Sequence, residues 1–498
     1  MTAILLIPIV TAIVCYVIKN ARVIGYVSLA GVIALAVTAW PTITASIASP
    51  ISAAGGALSM DALSGYIMAL VIFLSVASAV YSIGYLEHEL ETGLIELRGM
   101  RRYYGLLHLF IFTMLLVTMA NNLAIMWIGI EATTIVSALL IGLGFHKRPL
   151  AVEAAWKYII LCTVGITFAL LGTFITYYAS TAVMGTEGAL NWTVLKAAAP
   201  RFNPETMKLA FIFVLVGYGT KAGLAPVHNW LPDAHSQAPS PISALLSGIL
   251  LNTAFYGIMR FVSIVEPSTG DVFTGNLLII FGLISIGISA IFILVQENYK
   301  RLLAYSSIEH MGIISLGVGI GGPIGIYGAL LHILNHALSK PLMFFASGKI
   351  QARYGSQNIA SVTGVLSSMP LLGLLTFIGA LSLSGTPPFN IFVSEFTVLK
   401  AAVDKGMWPV VVLFLLFVVI VFYGVLSGFG KMLFGKPSDA DPVAAHSDHH
   451  HASGFHVGNF LGNVVMIVMA LSIIVMGLKV PGFIDGTIRT CVQALGVR

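Results

Sequence analysis

Residues 217–235 read GYGTKAGLAPVHNWLPDAH and follow directly on the apolar run LAFIFVLV. That run begins a membrane span, yet Lys221, Pro226, His228 and His235 fall where the span should reach its middle and beyond. Gly223 and Pro226 predict a break: proline lacks the amide that the next turn needs, and glycine accepts the backbone that closes a helix. The break leaves Lys221 in the last turn of a half-helix, where the exposed carbonyls favour a cation.

Around this stretch the composition permits only one setting. Hydrophobic residues make up 58% of 498 and charged residues 9%, with a mean hydropathy of +0.96. This is the composition of an all-α polytopic membrane protein. Apolar runs of span length start near residues 2, 22, 60, 104, 122, 151, 208, 241, 273, 302, 324, 365, 408 and 458, which predicts about fourteen transmembrane helices. The first run lacks a basic flank and a small-residue cleavage site, so it is expected to be a retained helix. Lys19, Arg22, Arg98, Arg101, Arg102, Lys147, Arg148, Lys300, Arg301, Lys349, Arg353, Lys431 and Lys436 fall in alternate connections. That bias puts those connections in the cytoplasm and both termini outside. Cys15, Cys162 and Cys491 lie far apart, which leaves no iron–sulfur motif and no disulfide framework. No cofactor is expected, and electron transfer would belong to other subunits. The net charge of +5 comes without a basic, aromatic-rich cluster, so nucleic acid is excluded as a partner.

A second apolar segment is broken in the same way, at Gly385, Pro387 and Pro388 in LSLSGTPPFNIFVSEF. The spans before the two breaks also match, because WIGIEATT carries Glu131 and SSIEHMG carries Glu309. A repeated unit of five helices must be inverted in the membrane, and such folds run their ion path along broken helices at the midplane. The organisation predicted is three leading helices over 1–103, a first five-helix repeat over 104–265 and a second over 266–436. A polar loop over 437–457 and a final helix with its tail over 458–498 complete it. The loop holds His446, His449, His450, His451 and His456 in a Ser/Asp/Ala-rich linker that fixes no ligand geometry, so it is read as solvated rather than metal-binding.

Glu131 interrupts an uncharged run, and a carboxylate in hydrocarbon costs about 2.5 kcal/mol or more even on insertion scales. Lys221 is its natural partner. A carboxylate that moves relative to a buried lysine can make that lysine hold or release a proton; the alternative is a static ion pair that sets helix register. HILNHALSK places His332, His336 and Lys340 at i, i+4 and i+8, three titratable groups on one helix face over about 12 Å. No glutamate follows the first histidine as in HExxH and no third ligand offers itself, so a relay fits better than zinc. Glu309, His310 and Glu395 join this set, with Thr220, Tyr305, Ser306 and Ser307 as hydroxyl links and water in the gaps. His228, Trp230, Asp233 and His235 lie past the first break, where Pro239 and Pro241 start the next span. Lys157 is close enough to a span end to snorkel.

Over residues 221–257, KAGLAPVHNWLPDAHSQAPSPISALLSGILLNTAFYG closely resembles the antiporter-like subunits of respiratory complex I, multi-subunit Na+/H+ antiporters and membrane-bound [NiFe] hydrogenases. KRLLAYSSIEHMG, HILNHALSKPLMFFASG and SGTPPFNIFVSEF extend the resemblance over about residues 60–430. It implies fourteen helices, two inverted five-helix repeats and a proton path along the midplane. By residue, it implies the fifth-helix glutamate at Glu131, the pumping lysine at Lys221, the distal charged group at Glu395, and the histidine-bearing helix at His332, His336 and Lys340. Many complex I members have a lysine where this chain has Asn252. With YSSIEHMG and NHALSK, that departure is most similar to the F-type subunit of the hydrogenase-4/formate hydrogenlyase branch. The function implied is a proton-translocating subunit in the cell membrane, without a redox centre, working with other membrane and peripheral subunits of a hydrogenase-type assembly. The alternatives are a subunit of NADH-quinone oxidoreductase and a Na+/H+ antiporter subunit, with Na+ in place of H+.

Overall fold

The computed structural model of the chain describes residues 1–143, 149–435 and 457–496, and these are helical almost throughout. α1 (Thr2–Val17) and α2 (Ala21–Ala48) lead into a small antiparallel hairpin of β1 (Ile51–Ala53) and β2 (Leu58–Met60), followed by α3 (Ala62–Glu91) and α4 (Leu97–Met119). Next come α5 (Leu123–Ile141), α6 (Pro149–Met184), the short α7 (Trp192–Ala198) and α8 (Pro204–Ala222). Beyond the break lie α9 (Leu231–Gln237), α10 (Ser240–Leu245), a π turn at Leu246–Leu250, α11 (Leu251–Thr269) and α12 (Asp271–Leu294). The rest comprises α13 (Tyr299–Ile320), α14 (Gly322–Tyr354), α15 (Val365–Ser368), α16 (Pro370–Leu383), α17 (Asn390–Asp404), α18 (Trp408–Leu433), α19 (Val457–Leu478) and α20 (Gly482–Ala494).

Among the described residues, ten helices are long and apolar enough to cross a membrane. The expected fourteen is not reached by that measure, for physical reasons that differ between helices. α1 and α16 are apolar but short. α8 and α14 fall outside the ten because they carry Lys221 and the His332, His336, Lys340 row among other polar groups. Two of the helices that hold titratable groups, α8 and α14, are thus too polar to be counted as spans, while α5 with Glu131 and α13 with Glu309 and His310 are counted.

Asparagine and aspartate side chains start many of these helices by accepting first-turn amides: Asn20, Asp61, Asn122, Asn203 and Asn298. The same device occurs at corresponding places in the chain. Asn122 caps α5 and bridges to Asn191, and Asn298 caps α13 and bridges to Asn358. Gly223 ends α8 at φ 77° and Gly385 follows α16 at φ 68°, and the Ala225–Pro226 and Pro387–Pro388 peptides are both cis.

With lipid outside, helices gain by close approach, which small residues permit. A Cβ on Gly282 would lie 2.7 Å from the Gly312 carbonyl, and one on Gly275 would lie 2.6 Å from that of Gly319, so α12 and α13 pack backbone to backbone. The most apolar stretch of α13, like that of the α10–α11 unit, is wholly enclosed, whereas only 28% of that of α18 is. The enclosed elements are the ones that surround the buried polar groups.

Candidate ion path

Lys221 is fully buried in the last turn of α8. Gly223, left-handed at the cap, closes that turn, and Trp230 Nε1 donates to the Thr220 carbonyl at 2.7 Å, which satisfies one group freed by the break. The Lys221 Nζ donates to Thr134 Oγ1 at 2.8 Å and to the Tyr158 hydroxyl, and it lies 4.6 Å from the centre of the Tyr158 ring. Tyr158 in turn bonds Ser137 Oγ at 2.7 Å.

The structure does not join Lys221 directly to Glu131. Thr134 stands between them: it accepts from Lys221 and donates to Glu131 Oε2 at 3.3 Å, while Thr163 donates to Oε1 at 2.9 Å. Thr134 lies one turn along α5 from Glu131, which brings its hydroxyl to the lysine side. Glu131 itself is only half-buried, so its carboxylate also faces outward from this chain.

Aromatic rings lead on from Lys221. Tyr158 and Trp230 are 4.7 Å apart between ring centres, Trp230 and His235 are 5.9 Å apart, and His235 and Phe344 are 6.0 Å apart. His235, on α9, is fully buried, and neither of its ring nitrogens has a hydrogen-bond partner among the described residues; the same holds for His336, on α14. His228 is buried with Nδ1 unpartnered. Buried polar atoms without protein partners are sites for ordered water.

The π turn is a feature that the sequence did not reveal. It sets Ser247 Oγ 2.7 Å from Ser307 Oγ, and a Cβ on Gly248 would lie 2.9 Å from Pro341, the residue after Lys340. π turns inside helices often mark functional positions. Asn252 donates to the Gly248 carbonyl at 2.8 Å and leaves its Oδ1 unpartnered.

In the second half, His332, His336 and Lys340 are all fully buried on α14. Lys340 Nζ donates to the Leu303 carbonyl at 2.8 Å and to Ser306. His310 Nδ1 lies 3.1 Å from His332 Nε2, and its ring centre is 5.3 Å from that of His336. His332 Nδ1 pairs with Ser394 Oγ at 2.9 Å, and Asn335 donates to the same hydroxyl at 3.0 Å. Glu309, His310 and Glu395, from α13 and α17, each bring one donor atom within 4.8 Å of the others'. The carboxylate of Glu395 fits against Gly385, where a Cβ would collide with it. Two carboxylates and an imidazole can pass a proton or hold a cation. The sequence put these three residues in one relay set but not at one point, because Glu395 comes from a different helix and only the packing brings it to Glu309 and His310.

Other positions fall outside this line. Lys157 is about half-exposed and pairs with Glu153 at 2.7 Å and with Asp233 at 3.3 Å, an aspartate that also holds Arg301. Tyr305 stacks on Phe292 with ring centres 5.1 Å apart. The histidine-rich loop, including His446, His449, His450, His451 and His456, lies outside the described residues. The sequence reading also passed over a buried clamp. Arg260 donates to both carboxylate oxygens of Asp61 at 2.6 Å and to Ser64 at 2.7 Å, with its guanidinium carbon 4.1 Å from the centre of the Trp192 ring. Burial works against the Asp61 carboxylate, but the Arg260 charge and its hydrogen bonds prevail and hold the carboxyl well below the usual carboxylate range.

The sequence signature described as NADH:quinone oxidoreductase/Mrp antiporter, TM, matches residues 120–421. The chain is 38% identical over 394 residues to the hydrogenase-4 component F homolog of Methylacidiphilum infernorum, covering 77% of this chain and 80% of that protein. It is 30% identical over 353 residues to NADH-quinone oxidoreductase subunit N of Desulforudis audaxviator, covering 70% and 67%. Its fold matches a chain of the membrane-bound sulfane sulfur reductase, an archaeal respiratory membrane complex, with a TM-score of 0.84 at 24% identity over 99% of this chain and 97% of that one.

Proposed function

This chain belongs to the NADH:quinone oxidoreductase/Mrp antiporter transmembrane family, and from that premise we propose that it carries protons along the buried line from Glu131 to Glu395. It is an antiporter-like subunit of the complex I-like kind. Its likeness to a hydrogenase-4 component supports placing it in a hydrogenase-type assembly of the cytoplasmic membrane, where other subunits move the electrons. The paired caps and paired helix breaks support two inverted five-helix units over 104–265 and 266–436.

One observation carries the reading. Between two fully buried lysines, Lys221 and Lys340, lie His235 and His336, whose four ring nitrogens have no hydrogen-bond partner among the described residues. A structural core would satisfy such atoms or replace them with apolar groups. A water-linked proton path needs them free.

The steps follow from the contacts. A redox event in a neighbouring subunit changes the charge or position of Glu131, which this chain leaves only half-buried. The Thr134 hydroxyl, bonded to both Glu131 and Lys221, passes the change on. Lys221 then gives up its proton toward His235 and His336, and onward to Lys340, His310, His332, Glu309 and Glu395. His228 borders the same break and is assigned to the path with them.

Proton transport by the intact assembly tests this. Lys221→Ala and Glu131→Gln should each abolish or strongly reduce it while the complex still assembles; undiminished transport in both variants excludes the path. A second reading, Na+ as the coupled ion, is favoured by the Glu309, His310 and Glu395 arrangement. Uptake of labelled Na+ that depends on Glu395 would establish it.

A further inference from the structure

A groove lined by none of the proton-path residues lies in the first part of the chain. A cavity of about 780 Å³ opens between α1, α4 and the end of α5. Its walls are apolar, with Ile9, Ile13, Leu106 and Leu139 among them, and its rim carries Arg98 and Arg102. Ile13 is 60% exposed and Leu139 is 45% exposed, so this slot faces whatever surrounds the chain in the bilayer.

The rim has a particular chemistry. Arg98 and Arg102 are spaced i, i+4 on one face of α4, in its first two turns, where the helix dipole adds to their attraction for an anion. Both are exposed, and neither has an ion-pair or hydrogen-bond partner among the described residues. Arg101, between them, is already used: it donates to the Tyr16 carbonyl and lies over the Tyr16 ring. Glu96 is the one acidic residue lining the slot, against two guanidinium groups. The positive-inside bias puts this rim at the cytoplasmic surface, where anionic lipids meet basic pockets between helices.

We propose that this groove is a binding site for one anionic phospholipid, its phosphate held by Arg98 and Arg102 and an acyl chain lying in the slot between α1, α4 and α5. Phosphate oxygens match the fork of an arginine, and acyl methylenes match the apolar walls. A zwitterionic headgroup presents an ammonium to the same two guanidinium groups and is disfavoured. Leu139 lines the slot two turns from Glu131, so the lipid braces the helix that bears the half-open carboxylate.

The test uses the intact assembly, purified in mild detergent, washed free of loose lipid, incubated with phosphatidylglycerol or phosphatidylcholine in mixed micelles, and counted by native mass spectrometry. The wild type should keep one phosphatidylglycerol per chain that the Arg98→Ala/Arg102→Ala double variant lacks, with no difference for phosphatidylcholine. Leu106→Trp, which fills the slot and leaves the charges in place, should lose the same lipid; it stands as the test if the double variant fails to assemble. Equal phosphatidylglycerol retention by wild type and variants overturns the proposal. So does equal loss of both lipids, or disulfide capture of a neighbouring subunit's helix by Ile13→Cys, which would show protein in the groove.

Discussion

Glu131 and Lys221 are coupled through a hydroxyl, and the consequences differ from those of an ion pair. A direct pair would hold the lysine charged and static, whereas a threonine that accepts from one group and donates to the other can reverse its hydrogen bonds. Thr134→Val should therefore reduce proton transport by about tenfold or more, while Thr134→Ser restores it; equal transport in the valine variant would make Thr134 a packing residue. The Asp61–Arg260 clamp makes a separate prediction, about stability. Removing one partner of a buried pair leaves the other uncompensated, so Asp61→Asn should destabilise the fold by about 3–5 kcal/mol. Because the Asp61 carboxyl is held low when folded, its contribution is fully present above the ordinary carboxyl value of about 4 and fades as pH falls below that. Thermal melts of wild type and Asp61→Asn should thus converge on acidification; a constant gap would contradict the assignment. At this scale the sequence was partly legible. A lysine and two glutamates in apolar runs stand out because their cost demands a reason, but Thr134, Tyr158 and Ser394 do not, since hydroxyls are common in spans and only geometry selects these.

The broken helices were legible as elements because glycine and proline act locally. Gly223 and Pro226 stop α8 within the turn that carries Lys221, and Gly385 follows the end of α16 in the same left-handed conformation. Gly385 is needed twice over: its φ of 68° suits glycine, and a Cβ would occupy the place of the Glu395 carboxylate. Gly385→Ala should cost about 1–2 kcal/mol of stability from the backbone and, independently, displace Glu395 and lower transport in the assembled protein. Normal transport with intact assembly would show that the carboxylate position does not matter. The π turn at Leu246–Leu250 had no signature, because LSGIL is equally at home in an α-helix. It arises where α10–α11 packs on Pro341, a contact between segments far apart in the chain. The measure of spans by length and hydropathy stops at ten for a related reason. Length and hydropathy count apolar helices whether they face lipid or are wholly enclosed, as α13 is, and they pass over α8 and α14, whose charged and imidazole side chains lower the mean.

For the whole molecule, the fold places two lysine-centred clusters side by side, with His235 and His336 between them. The membrane class and the helix breaks could be read from composition and punctuation. That Glu309, His310 and Glu395 converge on one point could not, since it depends on how α13 and α17 meet around α14. A continuous path requires that protons cross from the first cluster to the second, and on the proposed path His336 is the group that receives them from His235. His336→Phe keeps an aromatic ring and removes the titratable nitrogens. The most direct measurement is the number of protons moved per electron by the intact complex carrying His336→Phe, in sealed vesicles. A conducting line predicts that the ratio falls while assembly and the redox reaction persist; an unchanged ratio would contradict it.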